Sequence, residues 1–287
     1  MVSFYFEGKR KKGCFITVIS CGNDVNFVTM IIDYKNSIIH YTVSGKGPAV
    51  ILLHGFLENI TMWNDLVPEF AKKHQVVCID LLGHGQTGCL GYVHTMDAMA
   101  DAVFVILNHL NIKRAQVIGH SMGGYVALAM AEKNPQLFKG LCLMNSTFEA
   151  DDDERKVLRS RANKMAQTNF ESLVRMSFAN LFAPESRMTY KSDYEDALQL
   201  ALKTRVQGYI AAQQGMTLRP NRLEVFKNLK ANKLIIIGKK DTVVDGEKLS
   251  NQIEGTTIDC VEFSEGHMSY IENKSELSYT IKHFIEK

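Results

Sequence analysis

From residue 27 onward, short β-branched runs alternate with longer stretches of helical period. That is the pattern of a largely parallel sheet joined by crossover helices. Residues 27–33 and 37–44 predict two antiparallel strands turning around Lys35-Asn36, after which Gly45-Lys46-Gly47-Pro48 punctuates the chain. Residues 49–53, Ala-Val-Ile-Leu-Leu, are apolar without alternation, which predicts a central strand covered on both faces. Further strands are predicted at 75–80, 115–118, 140–144, 233–237 and 258–263. Residues 96–110 carry helical period behind Thr95 as N-cap, 125–133 form a helix stopped by Asn134-Pro135, and 275–285 close the chain as an amphipathic helix.

One stretch breaks this rhythm. Residues 150–216 read as three helices with no strand between them, opening on Asp151-Asp152-Asp153-Glu154, whose charge suits a helix N-terminus. A crossover needs only a dozen or so residues, so this segment is predicted to be an inserted helical cap on a core formed by 30–149 and 217–287. Its methionines and aromatics (Met165, Met176, Phe178, Phe182, Tyr209, Met216) suit packing and also a flexible apolar pocket lining. A chain of 287 residues is long enough for one α/β domain with such an insertion.

Residues 1–29 are expected to lie outside the fold, as a disordered extension or the product of a start codon placed upstream of Met30. The alternative is a lipoprotein anchor. Lys9-Arg10-Lys11-Lys12 precede a short apolar run, and Val18-Ile19-Ser20-Cys21 is similar to a bacterial lipoprotein cleavage box with Cys21 as the lipidated residue.

The formal net charge is +2 and the other basic residues are scattered, which argues against nucleic acid as a partner. Cys14, Cys21, Cys78, Cys89, Cys142 and Cys260 form no C-x-x-C pair and have no close histidine. Neither a zinc site nor a disulfide framework is indicated, and a reducing, cytoplasmic compartment is expected. No stretch approaches the roughly 20 apolar residues of a transmembrane helix. The oligomeric state is left open.

Gly119-His120-Ser121-Met122-Gly123 matches the G-x-S-x-G pattern, and its placement after a buried strand and before a helix is what that pattern needs. A sharp strand-to-helix turn exposes the serine, and the helix N-terminus sets the Met122 N–H beside it, facing a developing oxyanion. A serine hydroxyl needs a base, and the base needs an orienting acid. Asp241 follows the strand at 233–237 and His267 follows the last strand, both at the carboxyl edge where ligand chemistry gathers in such sheets. Asp245 and, less favourably, Asp151 are the alternative acids. Leu53-His54-Gly55-Phe56-Leu57 ends the central strand, and the N–H of Phe56 is the expected second oxyanion donor, with Leu57 next. His54 and the turn from Asp80 to Thr87 read as structural.

Over roughly residues 30–287 the chain resembles the α/β-hydrolase superfamily, in the branch with a helical cap. The markers are His54-Gly55-Phe56, Asp80-x-x-Gly83-His84-Gly85, Gly119-His120-Ser121-Met122-Gly123-Gly124, Gly238-x-x-Asp241 and Gly266-His267. The resemblance implies an α/β fold with a mostly parallel central sheet flanked by helices. It also implies a Ser121–Asp241–His267 triad and an oxyanion hole from Phe56 and Met122. The implied activity is that of a carboxylesterase on a small apolar ester or thioester, with no metal or organic cofactor. Ser121 argues against the haloalkane dehalogenases and epoxide hydrolases, which carry aspartate there. Tyr125 stands where the menaquinone-synthesis enzymes of this fold have arginine, and the Gly-Gly-Ser-Trp-Gly elbow of proline iminopeptidases is absent. Asn232-Lys233 replaces a proline common in relatives. The alternatives are C–C bond hydrolysis or elimination by the same triad, and a ligand-binding protein that keeps the motifs without the reaction.

Overall fold

The computed structural model describes residues 14–20 and 26–287, with side chains from residue 28 onward. Among the described residues, nine strands form one sheet: β1 (Cys14–Ser20), β2 (Asn26–Tyr34), β3 (Ser37–Ser44), β4 (Ala49–Leu53), β5 (Gln75–Ile79), β6 (Ala115–His120), β7 (Phe138–Met144), β8 (Asn232–Gly238) and β9 (Asp259–Phe263). Their order is β1-β2-β3-β5-β4-β6-β7-β8-β9. The β1/β2, β2/β3 and β3/β5 pairs are antiparallel, and the rest are parallel.

The core helices are α1 (Val67–Phe70), α2 (Met96–His109) and α3 (Met122–Lys133). The insertion between β7 and β8, the segment expected from the sequence to be a cap and called so below, follows with α4 (Asp153–Ala166), α5 (Phe170–Ala179), α6 (Ser186–Thr189), α7 (Lys191–Ala201) and α8 (Val206–Thr217). The chain then returns to the core through α9 (Leu223–Asn228), α10 (Gly246–Ile253), α11 (Ser269–Glu272) and α12 (Lys274–Glu286).

β4 shows why its apolar run does not alternate. Ile51 and Leu53 pack with α2, α3, α9 and α10 on one face, while Val50 and Leu52 pack with α1 and α12 on the other. All four are 0% exposed, so each contributes roughly 1.5–3 kcal/mol through burial. After β4 the chain turns to β5 on one side and then to β6 on the other. β4 and β6 are thus neighbours at a topological switch point, where a crevice opens at the strands' carboxyl ends. In register, Leu53 lies beside Gly119, and His120 beside Met144. The segments that follow β4, β6 and β7 therefore emerge at one edge.

Four expectations change. The segment set aside as an extension supplies an edge strand: Cys14–Ser20 is rich in β-branched residues and pairs along β2 from Cys14↔Ile32 to Ser20↔Asn26. Cys21 lies outside the described residues. The cap has five helices instead of three, because Pro184 follows α5 and Tyr190, at φ −110° and ψ 39°, separates α6 from α7. α3 begins at Met122, three residues earlier than its period suggested, since Gly123 and Gly124 dilute the helical signal. Short α9 and α10 were not anticipated. Among the described residues no helix is long and apolar enough to cross a membrane.

Candidate active site

Ser121 stands between the end of β6 and the first residue of α3, with φ 48° and ψ −114°. This is a left-handed strain for a non-glycine residue, and the surroundings hold it in place. The Ser121 N–H donates to the Met144 carbonyl at 2.9 Å, and its own carbonyl accepts from Ser146 Oγ at 2.7 Å. The turn is tight enough to need glycine. A Cβ on Gly123 would lie 2.7 Å from the His54 carbonyl oxygen and closer still to that of Leu53.

The three residues picked from the sequence meet at this edge. Ser121 Oγ lies 2.9 Å from His267 Nε2, and His267 Nδ1 lies 2.7 Å from Asp241 Oδ2. Asp241 Oδ1 accepts the N–H groups of Val243 at 2.8 Å and Val244 at 3.0 Å. Burial acts to raise the Asp241 pKa. The charge and hydrogen bond of His267, with the two N–H groups, outweigh it and hold the carboxyl below its ordinary value. An ionised Asp241 only accepts, so Nδ1 of His267 carries the proton and Nε2 is free to accept from the serine hydroxyl.

The alternative acids are engaged elsewhere. Asp245 caps α10, accepting from the Lys248 N–H at 2.9 Å. Asp151 is buried beneath the cap between Arg159 (2.5 Å) and Arg219 (2.7 Å). His54 accepts the Leu81 N–H on Nε2 at 2.9 Å and donates from Nδ1 to the Gly55 carbonyl at 2.7 Å, a structural role. Asp80 likewise braces its turn through His40, Ile60 and Gln86. The N–H groups of Phe56, Leu57 and Met122 have no hydrogen-bond partner among the described residues, and Phe56 and Leu57 line the pocket with Ser121.

Above the serine lies a cavity of about 280 Å³ between core and cap. Leu158 and Ala162 of α4, Leu181, and Tyr209 and Met216 of α8 form most of its apolar wall. Of the cap residues singled out by type, Tyr209 and Met216 face this cavity. Met165, Met176 and Met188 are exposed instead. Arg159 reaches across the ceiling, donating to Gln213 Oε1 at 2.6 Å, and Gln213 donates to the Tyr209 hydroxyl at 3.2 Å. The described residues contain no group of three or more His, Cys, Asp or Glu arranged to hold a metal ion.

Two neighbours escaped the sequence reading. Asn145 donates to Asp241 Oδ2 at 3.3 Å and to the Gly266 carbonyl at 3.1 Å, tying the acid loop to the histidine loop. Its place directly after β7, beside β6, was the available signal. Glu58, four residues past His54, meets His120, and only spatial proximity reveals it.

A sequence profile described as the alpha/beta hydrolase fold matches residues 48–274, and the chain belongs to that family. An uncharacterised protein of Mycobacterium bovis is 37% identical over 106 residues, covering 37% of this chain and 31% of that protein. The chain thus spans about a third of the length of the first curated relatives it matches. A 3-oxoadipate enol-lactonase of Acinetobacter baylyi is 23% identical over 249 residues, covering 85% of this chain and 91% of that enzyme. Among solved structures, a thermophilic esterase from Thermogutta terrifontis superposes with a TM-score of 0.81 at 26% identity, covering 87% of this chain and 93% of that one.

Proposed function

We propose that the protein is a serine hydrolase that cleaves small, largely apolar carboxylic esters or thioesters through an acyl-enzyme on Ser121. The observation that carries this reading is the row Ser121 Oγ–His267–Asp241, with contacts of 2.9 and 2.7 Å, opening into the apolar cavity under the cap. Ser121 Oγ attacks the acyl carbon while His267 Nε2 takes its proton. Asp241 holds the ring and stabilises the imidazolium. The N–H groups of Met122 and Phe56 receive the oxyanion, each donor worth about 2.7–4 kcal/mol in the transition state. The leaving alcohol or thiol collects the proton from His267. Water, activated by the same nitrogen, then releases the acid and restores Ser121.

The similarity to an esterase supports this class, and so does the similarity to an enol-lactonase, because a lactone is an internal ester. The test is turnover of p-nitrophenyl acetate and butyrate by the purified protein, with Ser121→Ala as control and a fluorophosphonate probe to label the serine. Undiminished turnover in the variant overturns the assignment.

A further inference from the structure

Glu58 and His120 take no part in that reaction, yet both are buried against it, with side chains 3% and 1% exposed. His120 Nδ1 lies 2.8 Å from Glu58 Oε2, and its Nε2 lies 3.0 Å from the backbone carbonyl oxygen of His267. A carbonyl only accepts, so Nε2 carries a proton. Glu58 Oε2 is itself an acceptor, for the Gly55 N–H at 2.5 Å. A neutral imidazole has one N–H, and here the carbonyl has used it. An ionised Glu58 then requires a second proton on Nδ1, which makes His120 an imidazolium.

His54, buried close by, shows the contrast. One of its nitrogens accepts from a backbone N–H, so its ring is neutral. The pKa directions follow the same division. Burial acts to lower the His120 pKa, but the charge and hydrogen bond of Glu58 hold it above its ordinary value. Glu58 stays below its ordinary value despite burial, through the charge and hydrogen bond of His120. His54 is pushed down, chiefly by burial.

We propose that Glu58 and His120 form a buried ion pair that holds the backbone of His267 and so positions its imidazole against Ser121. The proposal rests on the reading of His267 as the general base. The His120 and His267 rings are 5.1 Å apart between centroids. Glu58 binds the Nδ1 side of His120 and the His267 backbone binds the Nε2 side, so the pair links the loop after β4 to the histidine loop. An imidazolium N–H is a charge-assisted donor and grips the His267 carbonyl more firmly than a neutral ring would.

The other groups around the pair stay constant. Tyr270, 6.0 Å from His120 between rings, remains neutral because burial and then Glu58 push its pKa well up. Asp241 sits on the far nitrogen of His267, and Arg155 and Arg159 line the cavity wall. A substitution at position 58 removes one cause at Tyr270 but leaves burial, the largest, so the phenol stays neutral, and it leaves Asp241 and the two arginines in place. Glu58 and His120 are therefore positioning residues, acting on the reaction through His267.

Glu58→Gln isolates the charge. The amide oxygen still accepts from Gly55, the amide N–H donates to a bare Nδ1, and the Nε2–H still holds the His267 carbonyl. With the charge-assisted grip on its backbone lost, His267 is less well placed, and kcat is expected to fall by roughly 10-fold or more with KM little changed. The split between kcat and KM is the readout. Nitrogen NMR should find both ring nitrogens of His120 protonated at pH 7 in the wild type and only one in the variant. An unchanged kcat, or a neutral His120 in the wild type, overturns the proposal. If no ester is turned over, the proposed reaction fails while the NMR spectra still decide the pair. If the variant does not fold, the wild-type spectrum decides it alone.

Discussion

Below the cavity, Ser121, His267 and Asp241 are gripped by backbone groups: the Met144 carbonyl, the Val243 and Val244 N–H groups, and a bond from the His267 N–H to the Leu181 carbonyl at 3.0 Å. Above it, the cap meets the core through backbone bonds, from His267 to Leu181 and from the His94 N–H to the Ala211 carbonyl at 2.9 Å, and also through a side-chain cluster, Asp151–Arg159–Arg219, and it leaves Met165, Met176 and Met188 in solvent. Backbone bonds survive most side-chain exchanges, whereas a side-chain cluster is rewritten by one. The site in the core is thus held largely by backbone, and the cap rests in part on a cluster that one substitution can undo. In the proposed reading, reaction type belongs to the first and substrate choice to the second.

The sharpest way to test this division is at the core. Ser121→Ala and Asp241→Asn should each lower kcat for p-nitrophenyl butyrate by about 10⁴-fold or more, and Ser121→Ala should leave the melting temperature nearly unchanged. A large loss of stability in Ser121→Ala instead would mean that the serine also holds the fold. In the cap, Asp151→Asn leaves the buried Arg219 and the half-buried Arg159 with no carboxylate, and should cost about 3–5 kcal/mol in urea denaturation. A cost below about 1 kcal/mol would show that the cluster does not hold the cap.

A pH scan comes next in size. His84, 1% exposed, has its pKa pushed down to about 3, chiefly by burial. Its unfolded value is near 6.5, so between the two the unfolded chain binds more protons and stability rises with pH. Stability should therefore begin to fall below about pH 6.5 and be lower by about 3 kcal/mol at pH 4. Asp241, depressed below its ordinary value, adds its loss only at still lower pH. Thermal melts from pH 7 to 4 should show a shallower slope in His84→Asn. The smallest effect belongs to Met188, 80% exposed on the cap: Met188→Ala should change stability by less than about 0.5 kcal/mol and leave kcat/KM as it was.

Legibility in the sequence divides along the same line. β4, β6 and the elbow could be read because each is a continuous local pattern, and Asp241 and His267 because each follows a buried strand at its carboxyl end. The Glu58–His120 pair could not, since its members are 62 residues apart and each has an ordinary role available by itself. The cap misled for a different reason. α4 has a composition so polar that its buried positions are Asn163 and Ala166, and Leu158 and Ala162, which line the cavity, do not stand out from its exposed Val157 and Met165. Which cap residues face the cavity is decided by packing between helices, and a single chain records that only as scattered methionines and aromatics.

Gly123 carries one further consequence. The loop after β4 and the first turn of α3 approach within less than a methyl group's clearance, so the separation of the Phe56 and Met122 N–H groups is gauged by an atom that is not there. Any side chain at 123 would act as a shim, widening that gauge by forcing the end of β4 off the elbow. The two proposed oxyanion donors come from different parts of the chain, yet their spacing has a single tolerance, and one glycine sets it.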